Sequence, residues 1–172
     1  MHIISDVLIT NMLQVIIAGI GIFLFIVAAY SDIKSLRIPN ELAIAVAALG
    51  VFRLLVIGDL NTEIYTIGAS AMVFIATFLM FWRGILGGGD VKLLSATVLL
   101  VGYHDLLSFL LIMSICGAFV SLAVLFIRNL LPLWLGPRLA ALMPTARVVV
   151  PYGVAIAAAG SVTLLLQSSL IG

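Results

Sequence analysis

Two aspartates that adjoin apolar runs are the residues of this chain best suited to chemistry. Asp32 directly follows the apolar run 11–31, and Asp90 directly follows the glycine triplet 87–89. A carboxylate at the edge of an apolar segment is costly to bury and is therefore a functional candidate by default. Two carboxylates held close together do not both ionise readily, so one keeps a proton while the other acts as a base. Such a pair can activate a water molecule for attack on a peptide carbonyl and can protonate the leaving nitrogen.

The glycines before Asp90 have a physical reason to accompany a catalytic carboxylate. Gly87, Gly88 and Gly89 can adopt backbone angles closed to other residues, and their lack of side chains lets an extended substrate approach. The alternative is a flexible loop in which Asp90 only caps the following helix, since aspartate is a favoured N-cap. The Gly-x-Gly-Asp pattern alone does not decide between these two interpretations.

The composition predicts that the chain lies in a lipid bilayer. Of its 172 residues, 65% are hydrophobic and only 9% are charged, with a formal net charge of +1. Soluble domains are about half apolar and about a quarter charged. The composition therefore excludes a soluble globular protein, a disordered chain and a nucleic-acid binder. Since one helical crossing takes about 20 residues, we predict a single membrane-embedded domain over residues 1–172 with roughly six spans.

Apolar runs give the predicted positions of these spans. They are apolar on all sides rather than alternating, which favours an all-α integral membrane bundle over a membrane β-barrel. The fourth run is short for a crossing, so we expect a broken or partial helix there. The loop 128–148 contains three prolines and is predicted to be an interfacial segment. The predicted spans are 11–31, 40–57, 63–82, 90–101, 106–127 and 149–170.

The lysines and arginines are distributed unevenly between the ends of these spans. Seven of the eight lie at one set of ends, and the opposite set carries acidic residues and both histidines. The positive-inside rule makes the basic side cytoplasmic, with both termini outside and Asp32 and Asp90 together at the cytoplasmic face. Arg53 is the exception. It falls late in the second span, where we expect it to extend outward toward Asp59 or Glu63.

Cysteine and histidine usage argues against a metal or redox site. Cys116 is the only cysteine and lies inside an apolar run, which is typical of a buried structural thiol. It cannot form an internal disulfide or a cysteine-rich zinc site. His2 and His104 are predicted on the outer side, far from the aspartates. The first ten residues lack a basic region, so we expect no removable signal peptide.

The segments around both aspartates resemble the paired signatures of the type IV prepilin peptidases, which are integral-membrane aspartic proteases of the Gly-x-Gly-Asp class. The first segment, residues 32–40, reads DIKSLRIPN, and the second, residues 84–94, reads GILGGGDVKLL. The ending VPYGVA at 150–155 is similar to part of the family's last helix. The resemblance extends over about residues 20–160.

This resemblance implies roles for individual residues. Asp32 and Asp90 match the catalytic pair, which needs no metal or organic cofactor. Lys92 is implied to draw a substrate carbonyl or to bias the ionisation of the pair, and the alternative is an interfacial anchor. The residues implied to bind substrate or support the pair are Asn40, Gly87, Gly88, Gly89, Lys92 and Lys34.

The resemblance also implies the substrate and the location. Family substrates are prepilins, in which a short basic leader precedes an apolar helix and cleavage follows a glycine at the cytoplasmic face of the bacterial inner membrane. Longer members that also N-methylate the product often carry a cysteine zinc motif. One cysteine and the nine-residue segment 32–40 leave no room for it here. The chain therefore resembles the short form associated with tight-adherence (Flp-type) pili, and we expect cleavage without N-methylation.

Several alternatives stay open at the level of the sequence. Gly153, Ala157 and Gly160 form a small-residue face that either receives a substrate helix or packs internally. A preflagellin-type peptidase or another Gly-x-Gly-Asp intramembrane protease would share the aspartate pair. A small transporter would use membrane-embedded acids as an ion site, but near the midplane rather than at one face. A non-enzymatic assembly subunit is the third class, and the oligomeric state is left open.

Overall fold

The computed structural model describes residues 2–127 and 150–171, and these residues form six α-helices without a strand. The all-α prediction is thereby confirmed, and the predicted interfacial segment 128–148 lies outside the described residues. The helices are α1 (His2–Ser35), α2 (Asn40–Ile57), α3 (Leu60–Trp82), α4 (Gly88–Val101), α5 (Leu106–Leu125) and α6 (Tyr152–Ile171).

Five of these helices, all except α4, are long and apolar enough to cross a membrane. With 14 residues, α4 rises only about 21 Å, which is less than the hydrocarbon thickness of about 30 Å. The expectation of a short fourth helix is confirmed, and the helix is continuous. The first helix begins at His2 rather than at residue 11, because no proline or glycine interrupts the chain before the apolar run.

Two short turns connect α2 to its neighbours. Gly58 closes α2 in the left-handed conformation, with φ of 64°. Asp59 then caps α3, since its carboxylate accepts the backbone N–H of Thr62 at 3.2 Å. The hydrogen bonds from the Thr62 hydroxyl and amide lower the pKa of Asp59. At the other end of α2, Asn40 is the first helical residue and its side chain does not cap the helix.

The short helix α4 lies at the centre of the bundle. Nine of its fourteen residues are buried. Helices α2, α3 and α6 pack against it, while α1 and α5 both pack on α6. Contact with α2 is closest at Gly50, where a Cβ atom would lie 2.9 Å from the backbone nitrogen of Leu100. Glycine at this position therefore allows the two backbones to approach each other directly.

The last carbonyls of α4 are bound by side chains from other helices. The Arg53 guanidinium of α2 donates to the carbonyls of Leu100 and Val101, at 2.6 Å for the latter. The Gln167 amide of α6 donates to Val101 at 2.7 Å and to the Asp105 carboxylate at 2.6 Å. These contacts answer a general requirement, since carbonyls at a helix end inside a membrane protein have no water to bind.

The expected outward extension of Arg53 toward Asp59 or Glu63 is therefore wrong. The side chain turns inward because the last carbonyls of the short helix α4 accept hydrogen bonds from its guanidinium. The inward direction of Arg53 depends on the position of α4, which is remote from Arg53 in the sequence. The hydropathy around Arg53 therefore does not predict this direction.

We predict that Arg53→Met lowers the thermal unfolding temperature of the protein in detergent micelles. The substitution keeps the apolar stem but removes the guanidinium donor. Gln167 still donates to the Val101 carbonyl, whereas the Leu100 carbonyl is left unpaired at a cost of about 1–3 kcal/mol. Arg83→Met removes an exposed cation at the end of α3 and is the matched control. Equal unfolding temperatures for the two variants would contradict this role of Arg53.

Candidate active site

Asp32 lies in the last turn of α1 and is 5% exposed. Its backbone carbonyl accepts the N–H of Leu36 at 2.8 Å. The hydroxyl of Ser31 donates to the carbonyl of Arg37 at 3.0 Å, which draws the chain back across the end of the helix. Leu36 takes a left-handed conformation with φ of 51° in this reversal. The turn therefore fixes the end of α1 and returns residue 38 toward Asp32.

Asp90 lies in the first turn of α4, where the helix dipole favours an anion. Gly87 precedes the helix in an extended conformation, and a Cβ atom on it would lie 2.8 Å from Asp90 Oδ2. The carboxylate thus folds back over the chain that leads into its own helix. The backbone N–H of Gly87 is close enough to stabilise its charge.

The predicted need of the glycine triplet for special backbone angles is wrong, and the approach of a substrate to it stays a prediction. Gly87, Gly88 and Gly89 all have negative φ, so none needs a backbone angle closed to other residues. Close approach explains them instead. A Cβ atom would lie 3.3 Å from the Phe81 ring at Gly88 and 3.1 Å from the Ile38 side chain at Gly89. The triplet lets the start of α4 pack against α3 and against the α1–α2 turn.

Ile38 connects the surroundings of the two aspartates. It is buried at 9% exposure, and its Cβ lies against Gly89, the residue before Asp90. Its Cδ1 lies against Gly153 at the start of α6, where an added Cβ would be 2.8 Å away. The same added Cβ would be only 2.7 Å from Asp32 Oδ2. Three chain segments therefore converge around both carboxylates.

The two carboxylates are close enough to affect each other's ionisation. Asp90 lies at the start of the short helix α4, outside the five helices that are long enough to cross a membrane. The pKa of Asp90 is raised from 3.8 to about 6. Burial is the largest cause and the charge of Asp32 is the second, while a hydrogen bond from the Gly87 amide lowers the pKa. A like-charged neighbour raises a carboxyl pKa only at short range. The sequence-based expectation that the aspartates meet at one end of the bundle agrees with this coupling.

Asp32 has one oxygen without a hydrogen-bond partner in residues 2–127 and 150–171. Its Oδ2 is buried and accepts no hydrogen bond from the residues that the structure describes. The backbone amides of Gly153 and Val154 lie beside the same carboxylate. A buried carboxylate oxygen without a partner calls for one, such as a water molecule or a substrate group.

Of the residues predicted to support the pair, Asn40 and Lys92 contact each other, whereas Lys34 is exposed. Lys92 Nζ donates to Asn40 Oδ1 at 2.8 Å, which joins the starts of α2 and α4 next to Asp90. Asn40 does not cap α2, because Pro39 occupies the N-cap position. Lys34 is exposed, and its ammonium lies 5.8 Å from the centroid of the Tyr30 ring. Neither lysine forms an ion pair with an aspartate in the described part of the chain.

Sequence reasoning missed Ile38 and the contact of Gly153 with Asp32. The VPYGVA segment marks Gly153 in the sequence. Its resemblance to the family's last helix predicts a helix there but no contact with Asp32. Gly160 packs internally as well, since a Cβ there would lie 2.6 Å from the Phe25 ring. The small-residue face of α6 therefore serves packing within the bundle. Among the described residues, no three His, Cys, Asp or Glu side chains converge to hold a metal ion.

We predict that Gly153→Ala destabilises the protein although alanine favours helices. The added methyl group would overlap Asp32 Oδ2 and Ile38, and overpacking of this kind costs about 1–3 kcal/mol. Gly19→Ala is the control, because nothing lies within 4 Å of its added Cβ and the gain in helix propensity is about 1 kcal/mol. Thermal unfolding in detergent should move in opposite directions for the two variants. A similar rise for both would show that the Gly153 contact is not restrictive.

A family model described as the type IV leader peptidase family matches residues 19–122. The match includes both aspartates and the glycine triplet, and it ends before α6. No curated protein and no solved structure gives a significant match.

Proposed function

Since the chain belongs to the type IV leader peptidase family, we propose that it is an aspartic endopeptidase in which Asp32 and Asp90 form the catalytic pair. The family match covers more than half of the chain, and five apolar helices make it a multi-pass membrane protein. The observation that carries the proposal is the convergence of both aspartates around Ile38, which packs against Gly89 next to Asp90 and against Gly153, the residue in contact with Asp32 Oδ2.

The pair supplies both proton transfers that peptide hydrolysis needs. The ionised carboxylate takes a proton from a bound water molecule, and the hydroxide formed attacks the carbonyl carbon of the scissile peptide. The protonated partner donates its proton to the reacting peptide as the bond to nitrogen breaks. A pKa of about 6 lets Asp90 keep a proton at a higher pH than an ordinary aspartate would. The shared proton belongs to the pair, so either residue can begin as the acid.

We propose that the substrate is a prepilin and that its basic leader is removed at the cytoplasmic face of the bacterial inner membrane. The basic residues Lys34, Arg37 and Lys92 lie at the same helix ends as the two aspartates, and the positive-inside rule makes this side cytoplasmic. Both termini are then outside, and residues 1–172 act as a single domain. A scissile bond placed just before an apolar helix reaches the site without unfolding that helix.

We predict that Asp32→Asn and Asp90→Asn each reduce cleavage of a prepilin by at least about a hundredfold. Asparagine keeps the shape of the side chain but can neither act as a base nor supply the acidic proton. The assay is the shift of pilin mobility on a denaturing gel after coexpression. Asp59→Asn is the matched control, because Asp59 caps α3 at the opposite end of the bundle and asparagine also caps helices.

Membrane insertion of each variant is measured in parallel, so that loss of protein is separated from loss of activity. Processing that persists in either aspartate variant would remove that residue from the catalytic pair. Loss of processing in Asp59→Asn as well would indicate a general structural defect.

We further propose cleavage without N-methylation, as in the short form associated with tight-adherence pili. Only four residues, 36–39, separate α1 from α2, and the single cysteine lies in α5. A cysteine zinc site therefore cannot form between these helices.

Purified protein incubated with prepilin and S-adenosylmethionine should release a pilin whose mass lacks an added methyl group. Mass spectrometry of the product gives the result, and a bifunctional family member processed in parallel is the positive control. A methylated product from this chain would contradict the assignment to the short form.

A further inference from the structure

Helices α2 and α3 are consecutive in the chain but diverge from each other. A turn of two residues, 58–59, joins them at one end, yet each packs along α4 rather than along the other. Since α4 lies behind both, the space between α2 and α3 is a groove that opens sideways. In a membrane protein, an opening of this kind faces the lipid.

The groove has a volume of about 970 Å³ and an apolar interior. The two hydroxyl residues in its interior are already bonded to the protein. Ser70 donates to the carbonyl of Ser95 at 2.9 Å, and Ser95 donates to the carbonyl of Val91 at 2.8 Å. An occupant of the groove therefore needs no polar groups along its middle.

The two ends of the groove are polar and differ from each other. At one end Asn40 and Lys92 form their hydrogen bond, and at the other end lies Glu63. Lys92 is two positions after Asp90, and Asn40 is two positions after Ile38. The groove therefore begins at the candidate active site and runs away from it through the membrane.

The dimensions of the groove fit one α-helix. Its wall on α2 extends from Asn40 to Leu55, which is about 22 Å at 1.5 Å per residue. A helix about 10 Å in diameter occupies roughly 1,700 Å³ over that length. The groove can accept somewhat more than half of such a helix, and the rest would remain in contact with lipid.

We propose that this groove holds the apolar membrane helix of the substrate. The inference rests on the proposed function, because a prepilin presents its scissile bond immediately before such a helix. Seated between α2 and α3, the helix brings the residues that precede it past Asn40 and Lys92 to the two carboxylates. The groove, rather than the small-residue face of α6, is then the surface that aligns the substrate.

Filling the groove tests the proposal through cleavage. Ala71 of α3 is exposed and lines the groove, whereas Ala76 of the same helix is exposed outside it. The probe is a reporter prepilin with a basic leader ending in glycine, followed by an apolar helix of about 20 residues. Ala71→Trp should reduce cleavage at least about tenfold relative to Ala76→Trp, because the indole occupies the space of the substrate helix. Equal cleavage by the two inserted variants would overturn the proposal.

Disulfide cross-linking tests occupancy independently of catalysis. Cys116→Ser removes the only cysteine, and Asp90→Asn keeps the reporter uncut. With one cysteine midway along the reporter helix, Ala71→Cys should form several-fold more protease–reporter adduct than Ala76→Cys. Three results would each contradict the proposal. They are equal amounts of adduct for Ala71→Cys and Ala76→Cys, a link between two copies of the protease, and no protein adduct because only lipid fills the groove.

The two assays together separate this inference from the proposed function. If the wild-type chain cleaves the reporter but cross-linking shows no preference for Ala71→Cys, the groove proposal fails and the peptidase assignment stands. If the wild-type chain leaves the reporter uncut while the preferred adduct still forms, the proposed function fails, and the groove binds an apolar helix that is not a cleavage substrate.

Discussion

The position of α4 is the constraint on which the rest of the structure depends. A helix of 14 residues is shorter than the bilayer, so its terminal backbone groups lie where water is scarce. Arg53 and Gln167 from two other helices bind the carbonyls at its C-terminal end. This anchorage leaves the N-terminal end, with Asp90 in its first turn, near the last turn of α1, which contains Asp32. The same short helix thus holds one carboxylate of the proposed catalytic pair close to the other.

The site combines groups that are unfavourable for stability. Asp32 is buried, with one oxygen unpaired within the described part of the chain, and the pKa of Asp90 is raised both by burial and by its like-charged neighbour. Ionising the second carboxyl of such a pair costs free energy, which the surrounding packing has to offset. Close contacts at Gly89 and Gly153, made through Ile38, provide that packing. Perturbed carboxylates of this kind are typical of catalytic centres.

The bundle is packed differently on the two sides of α4. On one side α6 packs closely with α1, as the contact of Gly160 with Phe25 illustrates, and it also contacts α5. On the other side α2 and α3 diverge around a groove of about 970 Å³. The closely packed side positions Asp32 and the start of α6, while the open side is the surface proposed to receive the substrate helix. A peptidase acting on a membrane-anchored substrate needs both properties at one site.

The membrane location, the all-α class, the short fourth helix and the placement of Asp32 and Asp90 at one end of the bundle were all predictable from the sequence. These features follow from local apolarity, run length and charge, which neighbouring residues decide. The inward direction of Arg53, the Asn40–Lys92 bond and the close approach behind the glycine triplet were decided only by the tertiary structure. So was the groove between α2 and α3. Each of these depends on segments far apart in the chain, whose distance and orientation are set by helix packing and leave no periodic signal in the sequence.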